Sequence, residues 1–127
     1  MFTDLHKIHL IGIGGIGISA LAKFFISEGK KITGSDLYDS FVVQDLRRLG
    51  AGVALKHSEQ NLPDDTDLVV YSAAVPEENP ERVKAGRLKI RQLSYPEFLG
   101  EISRIKSKTI AISGNKGKTT TTAMLAE

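Results

Sequence analysis

Two glycine-rich segments, each set between an aliphatic run and a stretch of helical period, hold most of the chemistry available to this sequence. The first is Gly12-x-Gly14-x-x-Gly17, which follows Ile8-His9-Leu10-Ile11. Small residues there permit a tight turn and let a diphosphate approach main-chain N–H groups at the mouth of a helix, whose partial positive charge favours an anion. The second is Gly114-Asn115-Lys116-Gly117-Lys118-Thr119-Thr120. It has the parts of a phosphate-binding P-loop: a cradle of N–H groups from Asn115 to Thr120, Lys118 to pair with the β- and γ-phosphates of ATP, and the Thr119 hydroxyl to coordinate Mg2+. The usual first glycine is replaced by Ser113 or Ile112, depending on the alignment, so the segment is a variant of the common spacing. On this reading Gly114, Asn115, Lys116, Gly117, Lys118, Thr119 and Thr120 bind ATP, Lys118 is the catalytic cation and Thr119 the metal ligand.

Further candidates cluster with the first loop. Asp36 lies 19 residues after Gly17, near the spacing of about 20 at which an acid accepts ribose hydroxyls. Ser72-Ala73-Ala74 follows an aliphatic run and offers a hydroxyl and room for a ligand at the carboxyl edge of a parallel sheet, with Pro76 as a rigid turn residue. His57 is the one histidine of three in a loop at that same edge, whereas His6 and His9 flank or occupy the first strand and are structural. These residues suit a nicotinamide cofactor and a uridine nucleotide equally well, because both present a diphosphate and a ribose. A plain dehydrogenase domain has no use for the second loop.

The elements that must position these groups alternate as strand and helix, the rhythm of a parallel sheet. Strands are expected at Ile8 to Ile13, Lys31 to Ser35, Gly52 to Leu55, Leu68 to Tyr71, Leu88 to Arg91 and Thr109 to Ser113. A helix after the first glycine loop places Ile16, Ala20, Leu21, Phe24 and Phe25 on one stripe and stops at Gly29. Phe41 to Leu49 predicts a second helix, and Asn79-Pro80-Glu81, an N-cap with proline at the first helical position, opens a third to about Ala85. Ser94-Tyr95-Pro96-Glu97 matches a capping box for a fourth helix that turns Phe98, Leu99, Ile102 and Ile105 inward. The fold class is therefore α/β: a Rossmann-like, mostly parallel sheet flanked by helices in three layers.

Composition narrows the function classes. The 127 residues are 41% hydrophobic and 25% charged, enough for one packed core and wrong for a disordered tail. There is no Cys, which removes disulfides, thiolate metal sites and a cysteine nucleophile together. Seventeen basic and 15 acidic residues are mixed along the chain, with five Phe, three Tyr and no Trp, so neither a basic tract nor a base-stacking surface for nucleic acid is present. No window approaches the roughly 18 apolar residues of a membrane span, and Met1 to Lys7 lacks the layout of a signal peptide; a cytoplasmic location is expected.

Lys7-Ile8-His9-Leu10-Ile11-Gly12-Ile13-Gly14-Gly15-Ile16-Gly17-Ile18-Ser19, Gly34-Ser35-Asp36-Leu37, Ser72-Ala73 with Glu78-Asn79-Pro80-Glu81, and Gly117-Lys118-Thr119-Thr120-Thr121-Thr122 together resemble the Mur ligase family, in its order and over essentially the whole chain. Within it the chain looks most like the start of the member that joins L-alanine to UDP-N-acetylmuramate, about the first quarter of that enzyme. The resemblance implies a UDP-sugar-binding domain over 1–106 and the beginning of an ATP-binding domain over 107–127. It implies that Gly14, Gly15, Ile16 and Gly17 face the diphosphate, that Ser35 and Asp36 approach the uridine, and that His57, Ser72 and Ala73 serve the same nucleotide. The implied reaction is ATP- and Mg2+-dependent amide formation, in which the lactyl carboxylate takes the γ-phosphoryl group and the amino acid displaces phosphate. Where that member usually has Gly-Thr-His-Gly-Lys-Thr, this sequence has Gly114-Asn115-Lys116-Gly117-Lys118-Thr119. The fragment is expected to be inactive alone, with its tail poorly ordered, and the acceptor site is expected beyond Glu127. Two alternatives remain: a ligase that attaches a preformed tripeptide, against which Ile16-Gly17-Ile18-Ser19 speaks, and a nicotinamide-binding regulatory or dehydrogenase domain.

Overall fold

The computed structural model describes residues 5–103, so the second glycine loop and the strand expected before it lie outside the described residues, as does Ile105. Among the described residues, those up to Tyr95 form one compact unit and Pro96 to Ser103 belong to another. The first unit is built from β1 (Lys7–Ile11), α1 (Ile16–Ser27), β2 (Lys31–Ser35), α2 (Phe41–Arg48), β3 (Gly52–Ala54), a 3-10 turn (Glu59–Asn61), β4 (Leu68–Tyr71), α3 (Pro80–Arg87) and β5 (Arg91–Ser94). In the second unit the described chain is helical, with Phe98 buried and Leu99 and Ile102 half-buried.

All five strands are parallel, in the order β3-β2-β1-β4-β5. Right-handed crossovers then put α1 and α2 on one face and α3 on the other. Side chains alternate between the faces along each strand. Ile8 and Leu10 of β1, Ile32 of β2 and Leu68 and Val70 of β4 take the α1–α2 side, where Ile18, Leu21, Ala22, Phe25, Val43 and Leu46 are also buried. Ile11 and Val69 take the other side and pack with Leu62 and Ala85, edged by Tyr71, Val75 and Ile90.

Local chemistry accounts for the helix starts. The Ser40 hydroxyl accepts from Val43 N, and Asn79 Oδ1 accepts from Glu81 N and Arg82 N, with Pro80 at the head of α3. Three expectations need correction. β1 ends at Ile11 rather than Ile13, because Gly12 turns the backbone at φ +81°. α3 runs on to Arg87 and closes through Lys89 at φ 60°, so β5 begins at Arg91 rather than Leu88. The stripe expected on α1 is rotated: Ile18, Leu21, Ala22 and Phe25 are buried, while Ile16 is 93% exposed and Phe24 48%.

Candidate functional site

The strand order reverses between β1 and β4, so the loops that leave their carboxyl ends part from one another and open the crevice where ligands of such sheets bind. Gly12 leaves β1 with its N–H, and Ile13 with its own, donating to Ser35 O at 2.8 and 3.0 Å, and Gly15 N donates to Gly12 O at 3.0 Å. Two demands fall on Gly12: a left-handed φ, and no Cβ, since one there would stand 3.1 Å from Ser72 Cβ. The two loops thus touch at their bases, where Gly12 follows β1 and Ser72 follows β4.

That second loop is braced from below. Ser72 N donates to Ile11 O at 3.1 Å, Val75 N to Ser72 O at 2.9 Å, and the Arg82 guanidinium donates to Val75 O at 3.0 Å while stacking 3.8 Å over the Tyr71 ring. Ala73 and Ala74 are exposed at its tip.

The glycine turn delivers the chain into α1 with Gly15 as N-cap, without a side-chain capping bond and without an acid in the first turn. The N–H groups of Ile16, Gly17 and Ile18 have no hydrogen-bond partner among the described residues. They leave the positive end of a twelve-residue helix uncompensated, a terminus whose electrostatics favour an anion.

Asp36 lies at the end of β2 as expected, and its carboxylate faces the glycine turn. Oδ2 accepts from Gly14 N at 2.8 Å and Oδ1 from Tyr38 N at 3.1 Å. A Cβ on Gly14 would come within 2.8 Å of that Oδ2. Asp36 is thus a clamp that fixes the loop, and each oxygen keeps one lone pair for a further donor. Ser35 is fully buried, and its hydroxyl donates to Glu81 Oε1 at 2.8 Å. It does not line the crevice; it supports His57, whose Nδ1 stands 3.0 Å from Ser35 Oγ.

Beneath this edge is a group that sequence reasoning treated only as part of a helix start. Glu81 is fully buried and bonded on all sides: to His9 Nε2 at 2.5 Å, Ser35 Oγ at 2.8 Å, Asn61 Nδ2 at 2.9 Å and Ser58 N at 3.1 Å, with His57 Nδ1 at 3.4 Å. On its far side, His9 Nδ1 meets Thr33 Oγ1 at 2.8 Å. Burial pushes the Glu81 carboxyl up, but the hydrogen bonds from His9 and Asn61, the charge of His9 and the Ser35 hydroxyl outweigh it and hold the group below its ordinary value. The network joins β1, β2, the 57–61 segment and α3. Ser35 and Glu81 both meet the same nitrogen of His57, so the three make no nucleophile relay, which needs base and orienting acid on opposite ring nitrogens. The available signal was His9 itself, a polar residue inside an aliphatic buried strand that requires a partner.

An open groove between α1 and α2, lined by Lys23, Phe41, Val42, Gln44, Asp45 and Arg48, contains none of the expected site residues. The described residues hold no cluster of His, Asp or Glu suited to a metal ion, and no helix among them is long and apolar enough to cross a membrane. The expected ATP and Mg2+ residues Gly114, Asn115, Lys116, Gly117, Lys118, Thr119 and Thr120 lie outside the described residues.

Residues 7–107 match the family model "Mur ligase family, catalytic domain". The chain is 47% identical over 120 residues to a UDP-N-acetylmuramate--L-alanine ligase of Clostridium botulinum, covering 94% of this chain and 26% of that protein. The crystal structure of the UDP-N-acetylmuramate-alanine ligase of Thermotoga maritima superposes with a TM-score of 0.72 at 36% identity, over 77% of this chain and 23% of that one. A murein peptide ligase of Psychrobacter arcticus follows at TM-score 0.66 and 28% identity, over 76% and 20%. The chain spans about a quarter of the length of the curated relatives it matches.

Proposed function

The chain belongs to the Mur ligase family, and from that premise we propose that its first 106 residues bind the UDP part of UDP-N-acetylmuramate for an ATP-dependent amino-acid ligase of peptidoglycan synthesis. The observation that carries this reading is the uncapped end of α1. Three unpartnered N–H groups at the reversal point of the sheet, reached across a glycine turn too tight for side chains, are a diphosphate site in waiting. The alanine-adding relatives favour L-alanine as the amino acid joined, with the tripeptide-adding ligase as the second reading.

The relatives named for UDP-N-acetylmuramate support a uridine nucleotide over a nicotinamide one, with Asp36 as a clamp of the glycine turn. In dinucleotide-binding domains the acid after β2 turns its carboxylate to the ribose of the cofactor. Here both oxygens already accept main-chain N–H bonds, and the acid acts on the ligand chiefly through the loop it holds. Gly14, Gly15, Ile16 and Gly17 then face the diphosphate, Ser72 and Ala73 close the crevice from the β4 side, and His57 presents its outer nitrogen from the 57–61 side.

Residues 107–127 are proposed as the start of the ATP-binding domain, with Lys118 and Thr119 supplying the cation and the Mg2+ ligand. Magnesium ATP supplies a transferable phosphoryl group to the lactyl carboxylate. The residues of the first domain bind and orient the sugar nucleotide that carries that carboxylate. Cytoplasmic location follows as a proposal from the cytoplasmic character of nucleotide-sugar substrates.

Amide mapping by NMR tests the site. Addition of UDP is expected to move the resonances of Gly14, Ile16, Gly17 and Ile18 most, and to leave Lys84 to Arg87 at the far end of α3 unmoved. Shifts confined to the groove around Lys23, Phe41 and Arg48 would place the ligand elsewhere and overturn the assignment.

A further inference from the structure

We infer that Tyr95 is a further ligand-binding residue of this site, its phenol hydroxyl donating a hydrogen bond to the phosphate held at the first turn of α1. The inference rests on the UDP reading above and adds a side chain that neither the glycine pattern nor the family resemblance assigns.

The geometry begins with the register of the sheet. β5 pairs with β4 so that Ser94 stands opposite Tyr71, and Tyr71 in turn opposite Ile11. Tyr95 therefore leaves its strand at the same level as Gly12 leaves β1, at the carboxyl edge. From there its ring reaches Gly17. A Cβ on Gly17 would lie 2.5 Å from Tyr95 Cε2 and Cζ and 2.7 Å from its Oη. The hydroxyl end of the ring, rather than its base, is thus against the helix, and Oη is no more than one covalent bond further from Gly17 Cα than from that missing carbon.

Gly17 consequently has a role distinct from that of Gly12. Gly12 makes room for the loop after β4, and Gly17 makes room for a phenol. Any larger residue at 17 displaces Tyr95, because Cβ contacts under 3.0 Å are not tolerated.

The hydroxyl has no hydrogen-bond partner among the described residues, and Tyr95 is half-buried, its polar tip beside the unpartnered N–H groups of Gly17 and its neighbours. A phenol in that state is a donor in search of an acceptor, and the one acceptor the α1 terminus favours is an oxyanion. Asp36, the acid at the glycine turn, accepts from Gly14 N and Tyr38 N, and no hydrogen bond joins it to the Tyr95 hydroxyl. A hydrogen bond from a neutral hydroxyl to a phosphate oxygen is charge-assisted, shorter and stronger than one between neutral groups.

Tyr95→Phe removes the hydroxyl and keeps the ring that fills the space over Gly17. Calorimetric titration of this chain with UDP is expected to show about tenfold weaker binding in the variant, the loss of one charge-assisted bond. Uridine, which has no phosphate, is expected to bind both proteins alike, and their melting temperatures to coincide. UDP binding equal in the two proteins overturns the inference and leaves the UDP reading standing. Equal weakening for uridine and UDP overturns it as well, since the effect would then come from the ring's packing. A wild-type chain that does not bind UDP fails the underlying reading and the inference with it.

Discussion

Glu81→Ala is expected to lower the unfolding free energy by about 3–5 kcal/mol, a large fraction of what a domain of this size possesses. The carboxylate is fully buried, and it is the common acceptor for His9, Ser35, Asn61 and Ser58. Truncation orphans several buried donors at once and leaves a cavity among β1, β2 and α3. Because these groups include the His57 support, UDP affinity is expected to fall together with stability. Glu81→Gln keeps the volume and one acceptor, and is expected to cost less.

The same residue sets part of the acid response. Its folded-state carboxyl is held below the ordinary 4.5, so its contribution is present above that pH and is lost as pH falls through the lower folded value. Urea unfolding at pH 7 and pH 3 is expected to show a smaller acid loss in Glu81→Gln than in the wild type. The exposed Asp67, lowered by its bonds from His6 N and Lys7 N, leaves a residual acid dependence in both. Identical acid losses would mean that Glu81 is not the charged centre of the network.

The second large effect is expected at Gly34. This residue pairs with Leu10 across β1 and β2, and a Cβ there would stand 2.5 Å from Leu10 O and 2.8 Å from Ile13 Cδ1. A main-chain oxygen inside a central ladder cannot rotate aside as a side chain can, so relief requires the two strands to part. Gly34→Ala is expected to cost about 2–3 kcal/mol, which for this domain lowers the melting temperature by roughly 10–20 °C. Gly52→Ala on the edge strand meets only Thr33 Cγ2, at 3.8 Å, and serves as the control with little change. Equal melting temperatures for the two variants would contradict the packing described at β1 and β2.

How much of this was legible in the sequence depends on the range of the interaction. The parallel α/β plan was readable because aliphatic runs and capping residues are local, and Asn79-Pro80-Glu81 opens α3 where it was expected. The α1 stripe was misplaced because Ile16 to Ser27 is apolar on nearly every side, so several faces satisfy the helical period and only the sheet beneath selects one. β5 was set too early since Leu88 and Ile90 look like strand residues, while the α3 terminus at Lys89 consumes that stretch. At the site, the glycine turn was visible from its spacing alone. Glu81 was seen as an early helical acid, but its partners come from β1, β2 and the 57–61 segment, which only the strand order brings together. Asp36 stands just after β2, where its spacing from the glycine turn puts it, whereas the direction of its carboxylate toward Gly14 is a fact of the fold.

The central claim is that the crevice between the β1 and β4 loops holds a uridine diphosphate. Calorimetric titration of this chain with UDP, UDP-N-acetylmuramate and NADH tests it most directly. The account predicts saturable one-site binding of the two uridine nucleotides and no heat of binding with NADH; binding of NADH with UDP and UDP-N-acetylmuramate inert would contradict it.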